Sequence, residues 1–162
     1  MWVFLLAAVM WFGMLFVGGV SGKIITLTFI AGLAYVLTFI DGVAPISKFQ
    51  TTFQAPTTFV ENENTFWNGM YVILQQISWW GAAAWAMFIF GALGKKRWAI
   101  PVGIFAGTMS MLAGYPLGLH NALVEVHRFS MFLPAPLLST GLWIYLLLPG
   151  ARKLLSPDKT GE

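Results

Sequence analysis

The sequence predicts an all-α integral membrane protein, folded as a five-helix transmembrane bundle. Three observations carry that expectation. Of 162 residues, 58% are hydrophobic and only 9% are charged, whereas an ordinary soluble domain is roughly one quarter charged. The stretches 70–93 and 98–119 hold no charged residue, and each is long enough to cross a hydrocarbon core of ~30 Å. Between them stands Lys95-Lys96-Arg97, a turn that resists translocation and therefore marks the cytoplasmic side.

Taken in order, helix one is expected at about 2–20. Its first positive charge, Lys23, follows the apolar run instead of preceding it, which is the pattern of a retained helix with its amino terminus outside and not of a secretory signal. A tight inner turn from Gly18 to Lys23 leads into helix two, about 24–40, which Asp41-Gly42 and Pro45 are expected to end. Residues 41–69 read as a long ordered outer loop, because Phe49, Phe53, Phe59, Phe66 and Trp67 are too many aromatics for a disordered linker. Helix three, about 70–93, descends to the basic turn, and helix four, about 98–116, climbs back. A short outer amphipathic helix is expected at about 117–128, helix five at about 129–148, and a cytoplasmic tail at 151–162. Residues 1–150 thus form a single transmembrane domain.

The charge distribution fits this threading. Lys23, Lys95, Lys96, Arg97, Arg152, Lys153 and Lys159, seven of the nine basic residues, fall on the inner side, as the positive-inside rule requires. Asp41, Glu61, Glu63 and Glu125, four of the six acids, fall outside. A four-helix threading with helix one removed or re-entrant is the alternative. The net charge of +3 is thereby a matter of topology, and nucleic acid is not an expected partner. Membrane lipids and other membrane subunits, or a second copy of the chain, are. The expected location is a prokaryotic cytoplasmic membrane or an organelle inner membrane.

Small residues recur at four-residue spacing in and just after helix four, as Gly103 and Gly107 and again as Ser110, Gly114 and Gly118. Such spacing lets backbones approach where no hydrophobic force drives helices together. It serves either packing within the chain, the favoured reading, or an oligomer interface. Gly81-Ala82-Ala83-Ala84 offers a counterpart in helix three, and helix four is expected to be central. Gly-x-x-Gly-Lys occurs both at Gly19 to Lys23 and at Gly91 to Lys95, an echo that a duplicated hairpin leaves and that a glycine-rich chain also produces by chance.

For function, the sequence first excludes. No charged residue falls at mid-membrane in this threading, and ion-coupled transporters, proton relays and voltage sensors depend on such charges. With no cysteine, thiolate chemistry and iron–sulfur ligation are absent from the chain. No nucleophile triad, H-E-x-x-H or phosphate loop occurs. Uncharged polarity remains. Gln75 and Gln76 need hydrogen-bond partners in the bundle, in water or in a ligand, and Tyr115 shares their outer half of the membrane. Trp79 and Trp80, with Trp11, Trp85 and Trp143, lie deep enough to form an aromatic wall for a lipophilic ligand.

His120 and His127 lie on the polar side of the 117–128 segment. Their ~10 Å separation along a helix rules out one shared metal, so each serves at most as a single axial ligand of a macrocycle. The candidate ligand-binding residues are accordingly Gln75, Gln76, Trp79, Trp80, Tyr115, His120 and His127. A haem, a chlorophyll-like pigment, a carotenoid or a quinone is the class of group they suit. The leading functional reading is a non-catalytic subunit of a homo- or hetero-oligomeric membrane complex that holds such a ligand. A passive channel or uncoupled carrier, and a membrane enzyme acting on a lipophilic substrate at the outer face, are the alternatives.

Overall fold

The computed structural model describes residues 2–43, 58–124 and 133–155, with side chains for 9–43, 69–119 and 133–155. Among these residues six helices follow one another: α1 (Trp2–Val17), α2 (Val20–Val43), α3 (Thr58–Leu93), α4 (Ala99–Val124), α5 (Pro134–Leu147) and α6 (Pro149–Leu154). No strand occurs among the described residues. In a bilayer a spanning segment must satisfy its own backbone polar groups, and a helix does so residue by residue.

Three stretches are long and apolar enough to cross a membrane: Val20–Val43, Gly69–Leu93 and Ala99–Leu119. The chain is therefore a helical membrane protein. The other two apolar helices are shorter: α1 has 16 residues and α5 has 14, about 24 and 21 Å at ~1.5 Å per residue.

The helix boundaries correct the expectation in four places. The break between α1 and α2 is confined to Gly18 and Gly19, and α2 begins at Val20. The amide of Gly18 still bonds the Met14 carbonyl at 3.0 Å, and that of Lys23 bonds the Gly19 carbonyl at 2.8 Å. At its other end α2 runs through Asp41 and Gly42 to Val43, so the acid lies inside the helix and does not cap it. α3 starts at Thr58, which turns residues 58–69 of the expected outer loop into helix; 44–57 lie outside the described residues. Finally, α4 continues through Pro116 to Val124. The expected separate helix at 117–128 is, as far as 124, an extension of α4, and 125–128 lie outside the described residues. The missing N–H of a proline is tolerated in a membrane helix because neighbouring groups and local adjustment satisfy the freed carbonyl.

The α3–α4 turn shows how this sequence stops a helix. The Lys96 amide reaches back to the Gly91 carbonyl at 2.8 Å and the Lys95 amide to the Ala92 carbonyl at 3.1 Å. That reciprocal pair is a Schellman ending. The left-handed residue is Lys95, at φ 47°, although Gly94 stands one position earlier. Gly91 makes the hairpin tight: a Cβ there would lie 2.9 Å from both Ala99 and Trp98. The two Gly-x-x-Gly-Lys copies are not equivalent, since the first opens α2 and the second closes α3. Duplication therefore gains nothing from the geometry.

α2 touches every other helix, while α4 packs chiefly on α3 and α5; the central position belongs to α2 as much as to α4. One buried cluster joins Leu27, Ile30 and Ala34 of α2 to Trp85 and Phe88 of α3, Ala106 of α4 and Leu142 and Leu146 of α5. Ala151, Leu154 and Leu155 belong to it too, so the expected tail opens with a helix docked on the bundle. The α1–α2 joint, the α3–α4 turn and the α5–α6 joint share one end, which gathers Lys23, Lys95, Lys96, Arg97, Arg152 and Lys153. This is the basic end.

The small residues of α4 are used inside the chain. A Cβ on Gly103 would fall 2.6 Å from Leu146 and Phe88, on Gly107 3.1 Å from Trp143, on Gly114 2.7 Å from Pro136 and on Gly118 2.7 Å from Leu133. These four glycines seat α4 against α3 and α5.

Candidate functional site

The polar groups at membrane depth form two knots. The first joins α2, α3 and α4 at Ser110, which is fully buried. Its hydroxyl oxygen accepts the indole N–H of Trp85 at 3.0 Å and sits 3.1 Å from the Thr38 hydroxyl. Gly81 permits this, because a Cβ there would lie 3.1 Å from the Ser110 oxygen. The second knot joins α4 to α5. Thr140 donates to the Pro136 carbonyl at 2.7 Å and lies 2.8 Å from the Tyr115 hydroxyl. Since the single proton of Thr140 is committed to that carbonyl, Tyr115 must be the donor of the pair. On the same helix Ser139 Oγ and Trp143 Nε1 are buried and meet no hydrogen-bond partner among the described residues.

Five of the seven candidate residues have described side chains. Gln75 is half-buried and has a partner, whereas Gln76 is exposed. Trp79 is 40% and Trp80 67% exposed. The spacing of four pairs Gln75 with Trp79 on one side of α3 and Gln76 with Trp80 on the next. Tyr115 meets Thr140 of α5. The backbone of His120 lies in the last turns of α4, but its side chain lies outside the described residues, and so does all of His127.

The deep tryptophans do not make one wall. Trp11 stacks on Phe29 with centroids 4.5 Å apart, Trp79 meets Phe39 edge-on at 4.9 Å, and Trp85 is edge-on to Phe88 at 5.6 Å. Helix four does not present a continuous polar lining either. Ser110 turns to α2 and α3, Tyr115 turns to α5, and Thr108 bonds its own helix at Ile104, 2.9 Å away. Among the described residues no three of His, Cys, Asp and Glu are grouped to hold a metal.

Asp41, expected at the outer end of helix two, is only 3% exposed. It continues the buried stripe of α2 through Leu27, Ala31, Ala34 and Thr38. That spacing of three and four was available in the sequence, and reading Asp41-Gly42 as a helix stop hid it. Gly42 beside it packs against Ser78 and Trp79, a Cβ there lying 3.4 Å from the Trp79 indole nitrogen.

No protein-family model, no curated protein and no solved structure matches the chain.

Proposed function

We propose that this chain is a non-catalytic five-span membrane protein, amino terminus outside and carboxyl terminus cytoplasmic, that works as a subunit of an oligomer of its own copies. The carrying observation is Gln76. It is exposed within the span Gly69–Leu93, on a strip of α3 with Ile73 at 55% and Trp80 at 67% exposure. An amide facing hydrocarbon carries unmet donors and acceptors at a cost of several kcal/mol. A second copy removes that cost by symmetry, because an amide is self-complementary and a two-fold interface sets the same patch against itself, with a residue on the axis meeting its own copy.

The chain has no cysteine, so Gln76→Cys places one unique thiol on this strip. Mild oxidation in native membranes is expected to give a disulfide-linked dimer, and Leu112→Cys on the exposed face of α4 is not. Gln76→Leu should also lower the mass of the detergent-extracted particle. A particle heavier than one chain that lacks the Gln76→Cys disulfide points to a different subunit as the partner. A particle of one chain removes the proposal.

A lipophilic ring ligand is a second reading, supported by an aromatic ladder on the outside of α2 and α3. Tyr35 lies 6.1 Å from Phe39, and Phe39 lies 4.9 Å from the partly exposed Trp79. Such edges and faces suit a quinone, carotenoid or porphyrin plane. Visible absorption of the protein purified from its native membrane tests this, and a Trp79→Leu variant should lose the band.

A further inference from the structure

Positive-inside threading needs basic residues on one side of the membrane and is indifferent to where each of them stands. In this chain a docked helix fixes where two of them stand. Leu148 leaves the helical path at ψ 144° and turns the chain into α6. The amides of Ala151 and Leu155 then bond the Leu148 and Ala151 carbonyls at 3.1 and 3.0 Å. Ala151, Leu154 and Leu155 are buried in one cluster with Ile24 of α2, Ala92 of α3 and Ala99 of α4. Those three residues lie in the end turns of the three long spans, so α6 rests at the level where the spans leave the hydrocarbon.

The outer side of α6 carries Arg152 and Lys153, both exposed. Lys96 and Arg97, exposed in the α3–α4 turn, and the half-buried Lys23 of α2 stand at the same end. Packed helices lie roughly 8–10 Å apart, within the Debye length of ~10 Å at 0.1 M salt, so these charges act as one field. No described acid answers them. Asp41 belongs to the far end of α2, and Glu61 and Glu63 to the first turns of α3. Residues 156–162, outside the described ones, add Asp158, Lys159 and Glu162; seven bases against two acids still leave this end positive.

Beside the charges the surface is apolar. Val20, Leu93, Trp98, Leu147 and Leu148 are between 41% and 57% exposed. The Trp98 ring lies against Gly91, where a Cβ would come within 2.9 Å of it, and indole rings favour the headgroup region. A soluble acidic partner would satisfy the bases and gain nothing from a collar that hydrocarbon already covers. A phospholipid meets both, with its chains on the collar and its phosphate at the bases.

We propose that the basic end holds the headgroups of anionic lipids, through Arg152 and Lys153 of α6 together with Lys96 and Arg97 of the α3–α4 turn. Arginine offers a phosphate two parallel donors and lysine a compact charge. Clusters of four to eight such residues at the end of membrane helices attract anionic lipid, each residue strengthening the attraction about fivefold. This inference needs the spans and their basic end and no second copy of the chain, so it stands or falls apart from the subunit reading.

The full chain, purified in dodecyl maltoside, is mixed with dioleoylphosphatidylglycerol or dioleoylphosphatidylcholine, and bound lipid is counted by native mass spectrometry. The acyl chains are identical, so the difference reads the headgroup. Phosphatidylglycerol should bind several-fold more than phosphatidylcholine. Arg152→Gln/Lys153→Gln should lose most of that preference, whereas the charge-conserving Arg152→Lys/Lys153→Arg should keep it. Lys48→Gln/Arg128→Gln should keep it too, since it removes the two bases expected on the other side, both outside the described residues. Excess inorganic phosphate should leave the lipid bound. Equal binding of the two lipids overturns the inference, and so does loss of preference in the charge-conserving pair. An equal loss in the Lys48 and Arg128 pair overturns the placement at α6, and displacement by phosphate means a site for the free anion and not for a lipid.

Discussion

Trp85 donates its indole N–H to the Ser110 hydroxyl at 3.0 Å, both side chains being fully buried. This bond, with the Thr38 hydroxyl 3.1 Å from the same oxygen, ties the three longest apolar helices at one point. Hydrophobic force is weak between helices already in lipid, so such contacts and close packing carry the association.

Ser110→Ala should therefore be costly. It strands the Trp85 N–H and the Thr38 hydroxyl together, each at about 1–3 kcal/mol when buried. Thr108→Ala on the same helix removes only a bond to its own Ile104 carbonyl and should cost well under about 1 kcal/mol. Thermal unfolding in one detergent compares the two; equal losses would remove Ser110 from its place as the tie.

The Tyr115–Thr140 pair predicts an asymmetry. Tyr115→Phe leaves Thr140 bonded to the Pro136 carbonyl and wastes only a lone pair, for about 0.5–1 kcal/mol. Thr140→Val removes the acceptor and leaves the Tyr115 O–H unmet, at about 1–3 kcal/mol. The ratio of the two unfolding losses is the measurement, and the reverse order would mean that the proton runs from Thr140 to Tyr115.

Gly114→Ala should destabilise by about 1–3 kcal/mol, the usual range for overpacking. The added carbon would fall 2.7 Å from the Pro136 ring, which cannot rotate out of the way. Gly32→Ala meets nothing within 4 Å and should be neutral, or stabilising by up to about 1 kcal/mol through the better helix propensity of alanine. Chemical denaturation of both variants in micelles checks the contrast.

The fold class was legible because apolar runs interrupted by Lys95-Lys96-Arg97 leave few alternatives to spanning helices. Helix ends were less so. Pro116 reads as a stop on a soluble scale and is carried inside α4, while Thr58 to Asn68 reads as a polar loop and is the first part of α3. The α4 glycines showed where backbones approach, and contact with Phe88, Pro136, Leu133, Trp143 and Leu146 assigns that approach to the chain itself. The site was the least legible part. Which of Gln75 and Gln76 faces inward depends on the rotation of α3, and sequence spacing alone does not fix it. Asp41 beside Gly42 carries a stop signal and a buried-stripe signal at once, and packing of α2 on α3 decided for the second.

The central claim is that seven of the nine basic residues share one cytoplasmic face of a five-span bundle. Single cysteines in this cysteine-free chain, treated in intact cells with a membrane-impermeant maleimide, test it most directly. Ser47→Cys should be labelled from outside, and Lys96→Cys and Asp158→Cys only after the cells are opened. Labelling of Lys96→Cys in intact cells, with Ser47→Cys protected, would contradict the threading and every assignment of sides that follows from it.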